Sequence, residues 1–121
     1  VPDHIGNLSN YKFPEKSSIS VEARNDINFR ILLYQKSIVN IFMNAGPSVI
    51  PIFLKKSKSI IMEVGKGGFG NTYSYLKNKL GLIKGDQPLL KYGGYYLWHD
   101  KNNEFDENGI AYAYERLNNS Q

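Results

Sequence analysis

The chain has 121 residues, 41% of them apolar, a formal net charge of +4 and no cysteine. That length suits one domain burying roughly two-thirds of its unfolded surface, and the absence of thiols excludes a disulfide scaffold, a thiolate nucleophile and Cys-ligated zinc or iron–sulfur centres. Two histidines are too few for a His-rich metal site, no apolar run reaches the ~18 residues of a membrane span, and the basic balance favours a polyanionic partner: nucleic acid, an anionic membrane surface or an acidic protein.

Residues 1 to 20, "VPDHIGNLSNYKFPEKSSIS", lack periodicity and read as an extended arm or entry loop. The start at Val1-Pro2 rather than Met reads as a piece cut from something longer, and no signal-peptide pattern is present. From Ser20 to Asn44, Ile27, Ile31, Tyr34, Ile38 and Ile41 recur at alternating four- and three-residue spacing, the seam of an amphipathic helix stopped by Asn44, Gly46 and Pro47. "INFRILLYQ" also alternates, so a strand is the competing reading. "SVIPIFLKK" (Ser48 to Lys56) and "SIIMEV" (Ser59 to Val64) read as adjacent strands joined by a basic turn carrying Lys55, Lys56 and Lys58, with Pro51 confining the first to an edge or bulge.

"VGKGGFGNTY" follows. It resembles the glycine-rich loop of protein kinases, but no V-A-I-K, H-R-D or D-F-G accompanies it. Its G-x-G-x-x-G spacing also fits a dinucleotide fingerprint with Asp86 as the ribose acid, yet "LIKGD" is too short and glycine-broken to be the strand that should lead there. The physical residue of both readings is a tight strand-to-helix turn whose amides, at Gly67 and Gly68 and beside Asn71 and Thr72, attract anions, with Lys66 inside the loop and Lys77 and Lys79 beyond it. Asn71 or Thr72 caps a helix running to about Leu80, where Gly81 ends it.

"YYLWHD" (Tyr95 to Asp100) and "IAYAYERL" (Ile110 to Leu117) read as two strands of a hairpin closed by the polar loop "KNNEFDENG". Alternation puts Tyr95, Leu97 and His99 on one face and Tyr96, Trp98 and Asp100 on the other, and sets Ala111, Ala113 and Glu115 opposite Ile110, Tyr112, Tyr114 and Arg116. The expected fold is therefore α+β: an N-terminal helix and a second helix packed on one small, mainly antiparallel sheet, all in one domain of residues 1–121.

A sheet face mixing these side chains suits RNA. Cleavage at a ribose 2′-hydroxyl needs an acid–base pair and a cation over the phosphate, and bases stack on aromatic rings. His99 and Glu115 are the acid–base candidates, Arg116 and Lys66 the phosphate contacts, and Tyr96, Tyr112 and Tyr114 the stacking platforms, with Gly67, Gly68, Asn71 and Thr72 on the anion-holding turn. The alternative is a tyrosine-rich hairpin packed on a helix with its acids solvated. His4, in the arm, would complete a two-histidine pair if it met His99. No cofactor and no metal are expected: "NEFDENG" lacks calcium-loop spacing, and a two-metal site would need acids such as Glu63 and Glu115 to converge.

Taken together, a basic cysteine-free domain of this size without an initiator Met, with a helix and then a sheet, resembles the C-terminal toxin domains of bacterial polymorphic toxins, including those of contact-dependent growth inhibition. That resemblance implies a small metal-independent ribonuclease, often acting on tRNA, delivered from a larger secreted precursor into a target-cell cytoplasm and neutralised by an acidic immunity protein. It assigns no catalytic residue. Two other readings stay open: a non-catalytic nucleic-acid-binding module, and a structural or protein-binding domain of a larger secreted or viral protein.

Overall fold

The computed structural model describes Ser18 and residues 20–44, 46–54, 57–100 and 107–120. Most of the expected arm with His4, the lysines Lys55 and Lys56, and the acidic stretch with Glu104 and Asp106 lie outside these. In chain order come helices α1 (Glu22–Asn25) and α2 (Ile27–Lys36), strand β1 (Asn40–Met43), a 3₁₀ segment (Gly46–Phe53), β2 (Ser59–Val64), α3 (Tyr73–Leu80), a 3₁₀ turn (Leu90–Tyr92), β3 (Gly94–Trp98) and α4 (Glu107–Asn119). No helix among the described residues is long and apolar enough to cross a membrane.

The sheet corrects the expected fold class. Its order is β1-β2-β3 and both pairings are parallel, with Asn40 opposite Ser59 and Ser59 opposite Gly94. A parallel neighbour requires a connection that carries the chain back to its starting edge. The 3₁₀ segment does this between β1 and β2, and α3 does it between β2 and β3. Helices consequently cover both faces. On one side Ala113 and Leu117 of α4 pack on Ile60 and Tyr95; on the other Leu76 of α3 packs on Ile61 and Val64, with Tyr96 and Trp98 alongside. The predicted alternation of Tyr95 and Leu97 against Tyr96 and Trp98 holds across these two faces. Each fully buried aliphatic side chain contributes about 1.5–3 kcal/mol.

Three elements differ from the sequence reading. The expected 20–44 helix is two shorter ones, α1 and α2: Asp26 caps α2, its carboxylate accepting from Asn28 N at 2.9 Å and Phe29 N at 3.1 Å, and the chain turns extended at Ser37. Asn40 to Met43 then pair with β2, and the buried Asn40 amide donates to Tyr34 O at 3.0 Å and Ser57 Oγ at 3.2 Å. "SVIPIF" is 3₁₀ helix, with Pro51 inside it, instead of a strand; proline lacks the donor a ladder needs. "IAYAYERL" is helix α4 instead of the second strand of a hairpin. Ile110, Ala113, Tyr114 and Leu117 satisfy helical spacing as well as alternation satisfies a strand, and the Tyr95–Leu97 face of a parallel sheet has to be covered.

Two consequences of this packing are measurable. Ser59 is 2% exposed, and its hydroxyl has no hydrogen-bond partner among the described residues. An unmet buried hydroxyl costs about 1–3 kcal/mol, so Ser59→Ala should leave stability unchanged or raise it by about 1 kcal/mol, read as the midpoint of urea unfolding. Burial raises the pKa of Tyr95 and Tyr96 above the ordinary 10.0. A proton held more tightly when folded makes this stability complete below pH 10 and lost as pH rises past it, so the urea midpoint should fall on alkaline titration above about pH 10.

Candidate functional site

Because all three strands run the same way, their carboxyl ends share one edge, the edge at which open parallel sheets hold ligands. Asn44 follows β1, residues 65 to 72 follow β2, and His99 and Asp100 follow β3. Hydrogen bonds tie the three together. Asn44 Nδ2 donates to Asn71 Oδ1 at 2.6 Å, and His99 N donates to Val64 O at 2.8 Å.

Asn71 organises the glycine loop. Its Oδ1 also accepts from Gly65 N at 2.8 Å, and its Nδ2 donates to Glu63 O at 2.9 Å. Gly67 N donates to Asn71 O at 3.0 Å, and Asn71 N to Gly68 O at 3.2 Å. Thr72 caps α3 through Oγ1, which accepts from Tyr75 N at 3.1 Å, and Gly81 closes the helix, both as the sequence predicts. Tyr73 closes the back of the loop. Its ring stacks on Trp98 at 6.1 Å, its hydroxyl donates to His99 O at 2.5 Å, and a Cβ on Gly65 would stand 2.7 Å from it.

Glu63 is the strained point. It has φ of 58°, alone among the described non-glycine residues in being positive, and it sits where the β2–β3 register slips between Ile61 and Val64. Bulges and left-handed side-chain residues concentrate at functional sites. Its carboxylate accepts from Lys66 Nζ at 2.6 Å, a pair in which Lys66 keeps half of its side chain exposed. The sequence signal for Glu63 was an acid inside an otherwise apolar strand.

The predicted site residues thus divide. Lys66, Gly67, Gly68, Asn71, Thr72 and His99 share the carboxyl edge. Glu115, Arg116 and Tyr112 lie on exposed α4 positions toward the opposite edge: Tyr112 packs edge-to-face on Tyr95, four residues before His99 and so about 13 Å back along the strand, and Asn118 meets Lys58 before β2. Arg116 donates to the Tyr112 hydroxyl at 3.1 Å, the contact that raises its pKa. Tyr96 is half-buried against α3, and its backbone is bracketed by the Gln87 amide, which donates to Tyr96 O at 2.7 Å and accepts from Tyr96 N at 2.8 Å. Tyr114 packs against the α4-side core. Neither ring is a free platform. Asp86 accepts from Ile83 N at 2.8 Å and so closes its own turn.

No family model, curated protein or solved structure matches the chain. Among the described residues no three His, Asp or Glu side chains are grouped to hold a metal ion. What the edge offers is a histidine, an exposed ion-paired lysine, two carboxylates at Glu63 and Asp100, and a rigid loop.

Proposed function

We propose that the chain is a toxin-like, metal-independent ribonuclease that works at the carboxyl edge of its sheet. The observation supporting this is that the His99 N to Val64 O bond holds His99 at the end of β2, the strand that carries Glu63 and runs into the loop bearing Lys66. In this reading Lys66 lies over the scissile phosphate and His99 takes the proton of the ribose 2′-hydroxyl. The 2′-oxygen forms the new bond to phosphorus, the bond to the 5′-oxygen breaks, and that oxygen leaves with a proton from water. The products are a 2′,3′-cyclic phosphate and a 5′-hydroxyl. The net charge of +4 supports a polyanionic substrate, and tRNA and an acidic immunity protein are the substrate and partner proposed with it. Glu115 and Arg116 have no part in this centre.

A nucleotide-binding reading is favoured by one observation. β2, the glycine loop, α3 and parallel β3 form a βαβ unit, and β3 leads to Asp100, which supplies the acid-bearing strand that "LIKGD" lacks. Against it, the Gly65 and Gly67 amides are bonded within the loop instead of facing a pyrophosphate.

Incubation of the domain with total tRNA in the presence of a chelator tests the proposal. Fragments ending in 2′,3′-cyclic phosphate are the expected result. Intact RNA overturns it, and retention of RNA without cleavage favours the binding-module alternative.

A further inference from the structure

Phe69 is fully exposed, at 106% of its reference surface. It is not a side chain on a floppy loop. Asn71 N donates to Gly68 O at 3.2 Å, so residues 68 to 71 form a β-turn, and Gly70 at φ 73° in its third position is what a type II turn requires. Phe69 is the corner of that turn, held outward by the Asn71 bonds that fix the loop to β2 and to Asn44. Leaving a phenylalanine in water at a rigid corner gains nothing for folding, since it forgoes the about 1.5–3 kcal/mol that burial brings.

Its surroundings indicate what it meets. Tyr75 lies beside the turn, its ring 3.8 Å from a Cβ built on Gly70, and is 40% exposed. Among the described residues the amides of Gly68, Phe69 and Gly70 have no acceptor. Lys77 and Lys79 stand exposed on the helix that follows. An aromatic corner, a second exposed ring, unbonded amides and nearby cations are the groups that unpaired nucleotides use, bases on the rings and phosphates on the donors.

We infer that Phe69, with Tyr75, is the stacking platform for unpaired bases beside the His99–Lys66 edge. This rests on the RNA reading above and moves the platform away from Tyr96, Tyr112 and Tyr114. It makes the domain selective for single-stranded over duplex segments, since only an unpaired base exposes a face to a protruding ring.

The test compares wild-type protein, Phe69→Ala and Phe69→Trp by fluorescence anisotropy on a 2′-O-methylated single-stranded oligonucleotide, which resists 2′-attack, and on its duplex. Phe69→Ala should weaken single-strand binding about 10-fold and leave duplex binding unchanged, and Phe69→Trp should keep the affinity and be quenched on binding. Phe69 buries nothing, so both variants should melt with the wild type. Equal single-strand affinity of Phe69→Ala and wild type overturns the inference and leaves the ribonuclease reading standing, and equal weakening on both oligonucleotides overturns stacking. Cleavage of tRNA by wild type together with no binding of either oligonucleotide also overturns the inference, whereas neither binding nor cleavage removes both readings.

Discussion

Replacing His99 with alanine is expected to lower RNA cleavage by about 10²–10⁴-fold, the contribution of one positioned acid–base group, with the melting temperature nearly unchanged. The fold should tolerate it because the bonds that seat this residue are made by its backbone: His99 N to Val64 O, and Tyr73 Oη to His99 O. The side chain can therefore be removed without releasing the end of β3 from β2. Glu115→Ala is the control. Glu115 is exposed on α4 and lies toward the other edge, so its removal should leave cleavage within about twofold, the scale of an ordinary surface change. Initial rates of tRNA cleavage measure both. Equal loss in the two variants would mean that the α4 residues act in the centre after all.

The largest expected effect on stability comes from Gly93→Ala. Gly93 has φ of 84°, its carbonyl accepts from Ser59 N at 2.8 Å, and a Cβ there would stand 2.5 Å from the backbone oxygen of Ser57. Neither side can give way, because Ser57 leads directly into central strand β2 and its hydroxyl accepts from the buried Asn40 amide. Left-handed strain of about 1–2 kcal/mol and overpacking of about 1–3 kcal/mol together give about 2–5 kcal/mol, a large part of the 5–15 kcal/mol that holds a domain together. Gly81→Ala separates the two causes. Gly81 shares the left-handed conformation at φ 67° but has no described residue within 4 Å of a Cβ, so it should lose only about 1 kcal/mol. Urea midpoints give both values, and similar losses would refute the steric account.

The elements legible in the sequence were those with local signals. "SIIMEV" is apolar and branched, and Thr72 and Gly81 bracket α3 with their own chemistry. The sheet's direction was not legible, because parallel and antiparallel pairing differ in what connects the strands, and one connector was misread. "IAYAYERL" carries apolar residues at positions that suit both periods. Only the need to cover Tyr95 and Leu97 decides for a helix, and that need exists only once the sheet is parallel. The same error assembled the candidate site. A hairpin would have put Glu115 and Arg116 on a strand paired with Tyr95–Asp100 in the same sheet as His99, whereas they stand on helix α4, packed over the start of β3. The glycine loop fared better, since its position between β2 and a capped helix was readable, although its rigidity was not. That rigidity comes from Asn71, whose amide reaches Glu63, Gly65 and Asn44 across 27 residues of chain.

The central claim is that the working surface is the carboxyl edge of the sheet, around the glycine loop and His99. Amide chemical-shift mapping by NMR, with the 2′-O-methylated single strand titrated into the labelled domain, tests it most directly. The account predicts that the largest shifts fall on Gly65 to Tyr73 and on Trp98 to Asp100, with Tyr112 to Arg116 little changed. Shifts concentrated on Tyr112 to Arg116, with the glycine loop silent, would contradict it.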